Sequence, residues 1–409
     1  MSKTVFKKLV LPNGVALPNR VAKAAMDEGM AVGNHLPGDR MYKLYETWSK
    51  GGTGLLITGN VMVDHRCMTG PGSPALEKSS PIAPFKKWAK AAQHNDTHVW
   101  MQINHPGRQV YAALGGLVRS PSDVALDMGK HSNLFSKPVP MTQSDIHDVV
   151  KRFVTTSVMA VEAGFNGVQV HAAHGYLLSQ FLSPLTNKRT DQWGGSLENR
   201  ARLLYDIVKA IKLNVPKSFA VSVKLNSADF QRGGFDADDA KAVVLGLSKL
   251  NVDLVELSGG SYESPAMQGE TADGRTLARE AYFLEFAKDI AKDAAVPIMT
   301  TGGITRLEVA NRVLNEGVDM VGMGRALSFS PKLPSLWKLY PEAKANLPSV
   351  TWKNKTMASL ADLAIAKRQL HLMGKGKQPK LKVSALYTLI MDQIDHHKRI
   401  RAYRKRYAN

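Results

Sequence analysis

Short apolar segments recur eight times along the chain, and most of them are separated by a segment with the period of an amphipathic helix. They are Val21–Met26, Gly54–Thr58, His98–Ile103, Gly167–Val170, Phe219–Leu225, Val252–Leu257, Val296–Thr300 and Val318–Met323. Strands that alternate with helices are joined by crossovers, which make the strands parallel, and eight such units favour closure into a barrel. The sequence therefore predicts an α/β fold, a (β/α)8 or TIM barrel.

The segment that follows the third apolar run has a different character. Leu117–Met141 is rich in Ser, Pro and Lys and lacks a helical period, so we predict a long loop inserted after strand 3, of the kind that often forms a lid. The clearest helix comes next, over Ile146–Ala163, because its apolar residues recur at helical spacing. Ser144 is the predicted N-cap of this helix.

Beyond Leu327 prolines interrupt the alternating pattern, and two surface helices are predicted over Leu360–Leu372 and Leu386–Tyr407. We therefore divide the chain into a barrel domain, residues 1–330, and a helical C-terminal extension, residues 331–409, which packs on the barrel or trails from it.

The last part of the extension, residues 367–409, carries about half of the net positive charge of the chain. The formal net charge is +19, and residues 367–409 contain twelve Lys or Arg against two Asp, a net +10. Such a segment is consistent with a solvated, solubilising surface. It is also consistent with an anionic partner, namely nucleic acid, a membrane surface, or a substrate that carries CoA or phosphate. Both interpretations stay open, as does a homo-oligomer.

Cys67 is the only cysteine, which excludes an intrachain disulfide and a cysteine-rich metal or iron–sulfur site held by this chain. No apolar stretch reaches the length of a membrane span, and no signal-peptide pattern is recognisable. We expect a cytoplasmic protein that is not an integral membrane protein.

The residues best suited to chemistry follow the fourth apolar run. Gly167–Val170 leads directly into His171, His174 and Tyr176. In barrel enzymes the carboxyl ends of the strands present the catalytic side chains. A metal site would need a third ligand, and none is obvious nearby, so the histidines are predicted to act as paired hydrogen-bond donors. Core histidines that are merely satisfied by neighbours are the alternative.

This stretch resembles the signature of the old yellow enzyme family, the FMN-dependent ene-reductases, and the resemblance extends roughly from Leu9 to Leu327. The matching residues are His171, His174, Gly175, Tyr176, Asn187, Arg189, Asp191, Trp193, Gly194, Gly195 and Ser196. The resemblance implies that NADH or NADPH reduces FMN and that the C=C bond of a small α,β-unsaturated carbonyl compound, an enone, is then reduced. It also implies roles for three residues: His171 and His174 bind the substrate carbonyl, and Tyr176 protonates the substrate carbon.

The same resemblance implies a set of flavin-binding residues: Ala24, Ala25, Met26, Asn60, Gln102, Lys224, Gly302, Gly303, Gly324 and Arg325. Elementary chemistry supports several of them. A lysine in a barrel strand needs an anion, which for Lys224 is either the flavin or a barrel carboxylate such as Glu256. Glycines that follow strands 7 and 8 allow a phosphate to approach the backbone. Asp27 departs from the family pattern, because Thr, Cys or His is usual there.

Other residues near the strand ends are predicted to shape the site. His105 and Arg108 would tie the barrel mouth together, and Ser258, Gly259, Gly260 and Arg275 would shape the cavity. Two other functions stay open: a reductase of a CoA-linked or other anionic enoyl substrate, and an RNA-modifying FMN barrel of the dihydrouridine synthase type. The second would need a catalytic cysteine near the third strand, whereas Cys67 follows the second.

Overall fold

The computed structural model of the protein describes residues 3–266 and 281–407, and this part contains a closed barrel of eight parallel strands. The barrel strands are β1 (Val21–Lys23), β2 (Leu55–Ile57), β3 (His98–Asn104), β4 (Gly167–Ala172), β5 (Ala220–Asn226), β6 (Leu254–Ser258), β7 (Ile298–Thr301) and β8 (Met320–Met323). Each strand pairs with the next in chain order, and β8 pairs with β1 through Val321 opposite Val21. The predicted TIM barrel is confirmed.

Twelve α-helices lie in the described residues, and the longer ones surround the barrel. They are α1 (Asp39–Ser49), α2 (Ile82–Ala91), α3 (Gln143–Glu162), α4 (Leu177–Leu182), α5 (Leu197–Asn214), α6 (Ala237–Lys249), α7 (Leu284–Asp293), α8 (Leu307–Asn315), α9 (Arg325–Phe329), α10 (Leu333–Leu339), α11 (Lys355–Gly374) and α12 (Ala385–Tyr407). Among the described residues no helix combines the length and hydropathy needed to cross a membrane.

Helix α3 begins earlier than the sequence pattern predicted. Its N-cap is Thr142, not Ser144: the Thr142 hydroxyl accepts the backbone N–H of Asp145, and the Asp145 carboxylate accepts the backbone N–H of Thr142. This reciprocal capping box satisfies two amide donors that the first turn would otherwise leave unpaired. An isolated serine two residues later offers only one such bond, so the capping box decides where the helix starts.

A short hairpin at the start of the chain covers the amino-terminal end of the barrel. Leu9–Val10 pairs with Ala16–Leu17, and the buried Leu17 lies in one apolar cluster with Trp100, Leu254 and Met320 from the barrel strands. The lower interior is therefore filled with apolar side chains, and polar side chains are left to the upper interior and the carboxyl ends of the strands.

The insertion after β3 contains short regular pieces. Arg119–Ser120 and Val139–Pro140 pair in parallel, and 3-10 turns form at Ala112–Leu114 and Gly129–Leu134. Arg108, which is 3% exposed, fastens this insertion: it donates to the carbonyl of Ala125 at 2.7 Å and forms a 2.6 Å ion pair with Glu263. The insertion is thus tied to the loop that follows β6.

The two C-terminal helices pack on the barrel. Helix α11 contacts α1 and α9, and α12 runs beside α11. Near its end α12 buries Ile400 and Tyr403 in a cluster with Met62, Met68 and Leu114, which belong to the loops after β2 and β3. The last helix is therefore held by apolar contacts with loops at the carboxyl face of the barrel.

Candidate active site

The two histidines and the tyrosine at the carboxyl end of β4 lie in contact, with His171 inside the strand, which extends two residues beyond the predicted Val170. The His171 ring centroid is 5.1 Å from that of His174 and 4.9 Å from that of Tyr176, both edge-to-face. A sharp turn makes this possible: His174 has φ of 61° and Gly175 has φ of 74°, so the chain reverses before α4 begins. Such a left-handed residue is uncommon outside glycine. The turn brings the three side chains to one point at the mouth of the barrel.

Both imidazoles are neutral in this environment, and each can offer one N–H. Burial lowers the pKa of both rings well below 6.5, and the nearby Lys224 lowers it further. The Nδ1 of His171 accepts the backbone N–H of Ala173 at 3.3 Å, so the ring proton lies on Nε2. The Nε2 of His174 lies 2.8 Å from Oγ of Ser258; when the serine donates, the proton of His174 lies on Nδ1. Two donors are then left for a ligand.

Among the described residues neither histidine belongs to a group of three potential metal ligands. The one such group is Asp64, His65 and Glu77, and its carboxylates pair with Arg66 and Arg152.

The Tyr176 hydroxyl has a second tyrosine beside it. The hydroxyl oxygens of Tyr176 and Tyr262 are 3.1 Å apart, and burial raises the pKa of both phenols. Tyr176 is therefore protonated at neutral pH. Tyr262 can donate a hydrogen bond to the Tyr176 oxygen when that oxygen loses its proton, which would stabilise the resulting phenolate.

A chain of buried polar side chains crosses the upper barrel interior. Gln102 donates to Gln169 at 2.8 Å, Gln169 donates to Glu256 at 2.8 Å, and Glu256 accepts from Lys224 at 2.8 Å. The ion pair between Lys224 and Glu256 is the alternative considered from the sequence, and it is present. An ammonium has three donors, so this pair leaves Lys224 able to bond a ligand as well.

A second buried ionic group lies on the β1 side. The Nζ of Lys23 donates to Tyr45 at 3.2 Å and to the carbonyl of Ile57 at 2.5 Å, and Tyr45 in turn donates to Glu28. Glu28 accepts the backbone N–H of Gly59 at 2.9 Å. Burial lowers the pKa of Lys23 to about 8 and raises that of Glu28. The network fixes the chain at the end of β2, beside Asn60.

The glycines that follow β7 and β8 fit a phosphate group. Gly302 and Gly303 have φ of 121° and 71°, conformations that side chains other than glycine rarely adopt. A Cβ at either position would come within 3.0 Å of the Tyr282 ring, so only glycine fits at both positions. The Nε of Arg325 is buried without a hydrogen-bond partner among the described residues, while Nη2 donates to the carbonyl of Pro348 at 3.2 Å. An anion would satisfy that orphaned donor.

The remaining predicted cofactor residues lie on neighbouring strand ends. Ala24 is buried, Ala25 and Met26 are half-buried directly after β1, and the Met26 side chain lies against Gly324. Asn60, 7% exposed, donates to Thr69 at 3.0 Å. Together with Gln102 and Lys224 these groups surround the same end of the barrel as the histidines, which is compatible with a flavin between them.

Asp27, the residue after Met26, belongs to the turn that follows β1. The Asp27 carboxylate accepts the backbone N–H of Gly29 at 3.1 Å and is exposed, so it stabilises the turn after β1. The side chain at this departure from the family pattern is therefore engaged with its own loop. Arg275, predicted to shape the cavity, lies outside the described residues.

The polar loop after α4, which carries part of the family signature, is structural in this geometry. Asn187 donates to the carbonyls of Phe181 and Trp193, and Arg189 donates to the carbonyl of Met141 at 2.6 Å and pairs with Asp191. These bonds fasten the insertion after β3 to the loop before α5. The loop therefore supports the mouth of the barrel without contacting the two histidines.

Comparison with known proteins identifies the family. The sequence model of the NADH:flavin oxidoreductase / NADH oxidase family matches residues 4–339 of this chain. The chain belongs to this family. The NADH-dependent flavin oxidoreductase iliE of Neonectria sp. (strain DH2) is 38% identical over 369 residues, 84% of this chain but only 48% of that protein, so the chain spans about half the length of this relative. The iliE protein of Hypocrea jecorina (strain QM6a) is 35% identical over 82% of this chain and 89% of its own length.

Solved structures agree on the fold. The complex of 2-naphthoyl-CoA reductase with 2-naphthoyl-CoA has a TM-score of 0.76 at 26% identity, covering 84% of this chain and 54% of that one. The old yellow enzyme homologue from Zymomonas mobilis has a TM-score of 0.71 at 22% identity, covering 84% and 94%. The protein is an NAD(P)H-dependent flavin oxidoreductase of the old yellow enzyme family with FMN as its cofactor, as predicted from the sequence.

Proposed function

We propose that this oxidoreductase reduces the C=C bond of α,β-unsaturated carbonyl compounds. The observation that carries the proposal is the contact group of His171, His174 and Tyr176 at the mouth of the barrel, with ring centroids about 5 Å apart. Two neutral N–H donors and one protonated phenol are the groups that this reaction needs from the protein: donors for an oxygen that gains charge, and an acid for a carbon.

The histidines bind the carbonyl oxygen. One N–H from His171 Nε2 and one from His174 Nδ1 can each bond one lone pair of that oxygen. As electron density moves to the oxygen during reduction, both bonds strengthen, and fixed donors in a buried site stabilise such a charge without reorganising. Lys224 adds a positive charge close to both rings.

Tyr176 delivers the proton. Its raised pKa keeps it protonated, so it is available as a general acid once the substrate carbon becomes basic. The bond from Tyr262 stabilises the phenolate that remains, which favours proton transfer to the substrate.

FMN supplies the hydride when it is bound and has been reduced by NADH or NADPH. Ala24, Ala25, Met26, Asn60, Gln102, Lys224, Gly302, Gly303, Gly324 and Arg325 would hold it, the glycines and Arg325 at its phosphate. Heat-released flavin that chromatography identifies as FMN would support this set, and FAD would contradict it.

Two variants separate the roles of the histidines and the tyrosine. His171→Ala removes a donor to the developing oxyanion and should reduce turnover of cyclohex-2-enone on the order of 100-fold, and it should also weaken binding of phenol, which occupies the same donors. Tyr176→Phe should reduce turnover while NADH still reduces the flavin at the wild-type rate and phenol still binds. Tyr205→Phe, which removes a half-buried hydroxyl on α5, is the matched control. Full turnover with both histidines replaced would refute the proposal.

A CoA-linked unsaturated substrate is the second candidate, because the solved structure at 26% identity is a 2-naphthoyl-CoA reductase and the chain is strongly basic. The RNA-modifying alternative lacks support. Cys67 is 2% exposed and burial raises the pKa of its thiol, so it is a poor nucleophile.

A further inference from the structure

The last helix of the chain lies over the carboxyl ends of β1, β2 and β3. Arg399 donates to the carbonyl of Gly29 in the loop after β1, and Tyr403 donates to the carbonyl of His65 in the loop after β2 at 3.4 Å. The apolar cluster at the same place includes Leu114 from the insertion after β3. Loops at the carboxyl ends of the strands surround the active site of a barrel, so α12 borders its entrance.

A row of aromatic rings leads from the catalytic tyrosine to this helix. Ring centroids are 6.0 Å apart for Tyr176 and Tyr262, 6.0 Å for Tyr262 and Phe135, and 4.8 Å for Phe135 and Tyr111, which stack. The row ends at His396 of α12, whose ring meets Tyr111 edge-to-face at 5.7 Å. Tyr111, Phe135, Tyr262 and His396 are all half-buried, so each keeps exposed surface beside the entrance.

The rings of this row carry no charge of their own. Burial lowers the pKa of His396 and the nearby Lys367 lowers it further, so its ring is neutral at pH 7. Burial raises the pKa of Tyr111. Charges of both signs act on the row, Asp27 on the tyrosines and Lys367 on His396. The rings themselves offer no counter-charge, so burying an anionic group against them would cost free energy, whereas an uncharged group would not.

We propose that Tyr111, Phe135, Tyr262 and His396 form an aromatic subsite that binds a planar, uncharged aryl group of the substrate beyond its enone. Flat apolar walls with a few polar edges are what binds such groups. The subsite rests on the proposed function, since the enone is placed by His171 and His174. It also depends on residues 385–407, which lie outside the residues 4–339 matched by the family model. His396 is therefore a specificity-determining residue that this chain contributes from its own extension.

The test compares two adjacent histidines on α12. His396→Ala removes the ring at the end of the row, and His397→Ala removes an exposed ring as the matched control. For each we would measure kcat/KM for 4-phenylbut-3-en-2-one, for its para-carboxylate and for cyclohex-2-enone. The ratio of the phenyl enone to cyclohexenone should fall about three- to tenfold in His396→Ala, as for the loss of one aromatic contact, and should stay at the wild-type value in His397→Ala. Wild-type enzyme should prefer the phenyl enone to its carboxylate.

Binding gives an independent readout. The dissociation constants of phenol and 4-phenylphenol can be measured by flavin absorbance. The wild type should bind 4-phenylphenol more tightly than phenol, and this difference should become smaller in His396→Ala. Tyr111→Leu should show the same change and serves as the second variant if His396→Ala does not fold. Three results would overturn the subsite: a wild-type ratio of the two dissociation constants in both variants, a fall of the kcat/KM ratio in His397→Ala equal to that in His396→Ala, or a higher kcat/KM of the wild type for the carboxylate than for the phenyl enone. If the wild-type enzyme reduces neither enone, but the two variants bind 4-phenylphenol more weakly and phenol as well as the wild type does, the proposed function is refuted and the subsite is supported.

Discussion

Replacing Glu256 by glutamine tests what Lys224 does. Glu256 is fully buried and Lys224 is 4% exposed, and the two groups are 2.8 Å apart. The glutamine keeps an amide oxygen for the bond from Gln169 and turns its NH2 group towards Lys224, so the change removes both the negative charge and the acceptor of Lys224. An ammonium buried without its anion typically costs about 3–5 kcal/mol. We therefore expect the free energy of unfolding of flavin-free Glu256→Gln, measured by urea denaturation, to fall by about this amount.

The partner substitution should behave differently. Lys224→Met leaves a carboxylate that can relieve its burial by taking up a proton, so the loss of stability should be smaller at pH 7. The double variant Lys224→Met/Glu256→Leu removes both charges, and replacing a buried pair by apolar groups is often neutral. Its free energy of unfolding should recover most of the loss seen in Glu256→Gln.

FMN affinity separates the two roles of the lysine. If Lys224 donates to the flavin, Lys224→Met should weaken FMN binding about 10- to 100-fold, the usual contribution of a hydrogen bond from a charged group. Glu256→Gln should leave FMN affinity unchanged or higher, because the lysine is then freed from its anion. Equal weakening in both variants, or a loss of stability below about 1 kcal/mol in Glu256→Gln, would refute this reasoning.

Two further predictions concern Ser258, whose bond to His174 is described above, and two buried histidines, His35 and His105. Ser258→Ala should lower kcat/KM for an enone up to about tenfold, because the His174 ring loses the partner that sets its tautomer. Ser261→Ala serves as the control. An unchanged kcat/KM in Ser258→Ala would show that Ser258 does not orient the ring. Burial lowers the pKa of His35 and of His105 to about 4, from 6.5. As pH falls below 6.5, these histidines bind protons in the unfolded state before they do so in the folded state. The free energy of unfolding should therefore fall from pH 6.5 towards pH 4, by up to about 1.4 kcal/mol per pH unit for each histidine. Urea denaturation at pH 7 and pH 5 checks this, and equal urea midpoints would contradict it.

The barrel was predictable because the sequence signals of each strand and helix lie within that element or directly beside it. Period, turn residues and a capping signal lie within a few positions of one another, and the reactive group at the carboxyl end of β4 lies within six consecutive residues, 171–176. Even here a local ambiguity misled: Ser144 and Thr142 are both good caps, and only the reciprocal partner Asp145 distinguishes them.

Partners from distant strands could not be read in the same way. Tyr262 and Ser258 lie more than 80 positions from the residues that they bond, and nothing in their local sequence indicates the contact. The pairing of Lys224 with Glu256 was recognised as an option only because a buried lysine needs an anion. The position of α12 was the least accessible, because a basic amphipathic helix is compatible with many surfaces.

The fastening of the last helix to the first loops has a consequence for how the protein is made. Arg399 bonds Gly29 across 370 positions, and Arg406 bonds Asn34 across 372. During synthesis the loops after β1, β2 and β3 emerge early, yet Met62, Met68 and Leu114 gain their cover only after the residues around Ile400 have left the ribosome. A nascent chain therefore exposes apolar surface until α12 has been made, which is the condition under which chains associate wrongly. Contacts of such long range also slow folding, so chaperones would be needed most before α12 has docked.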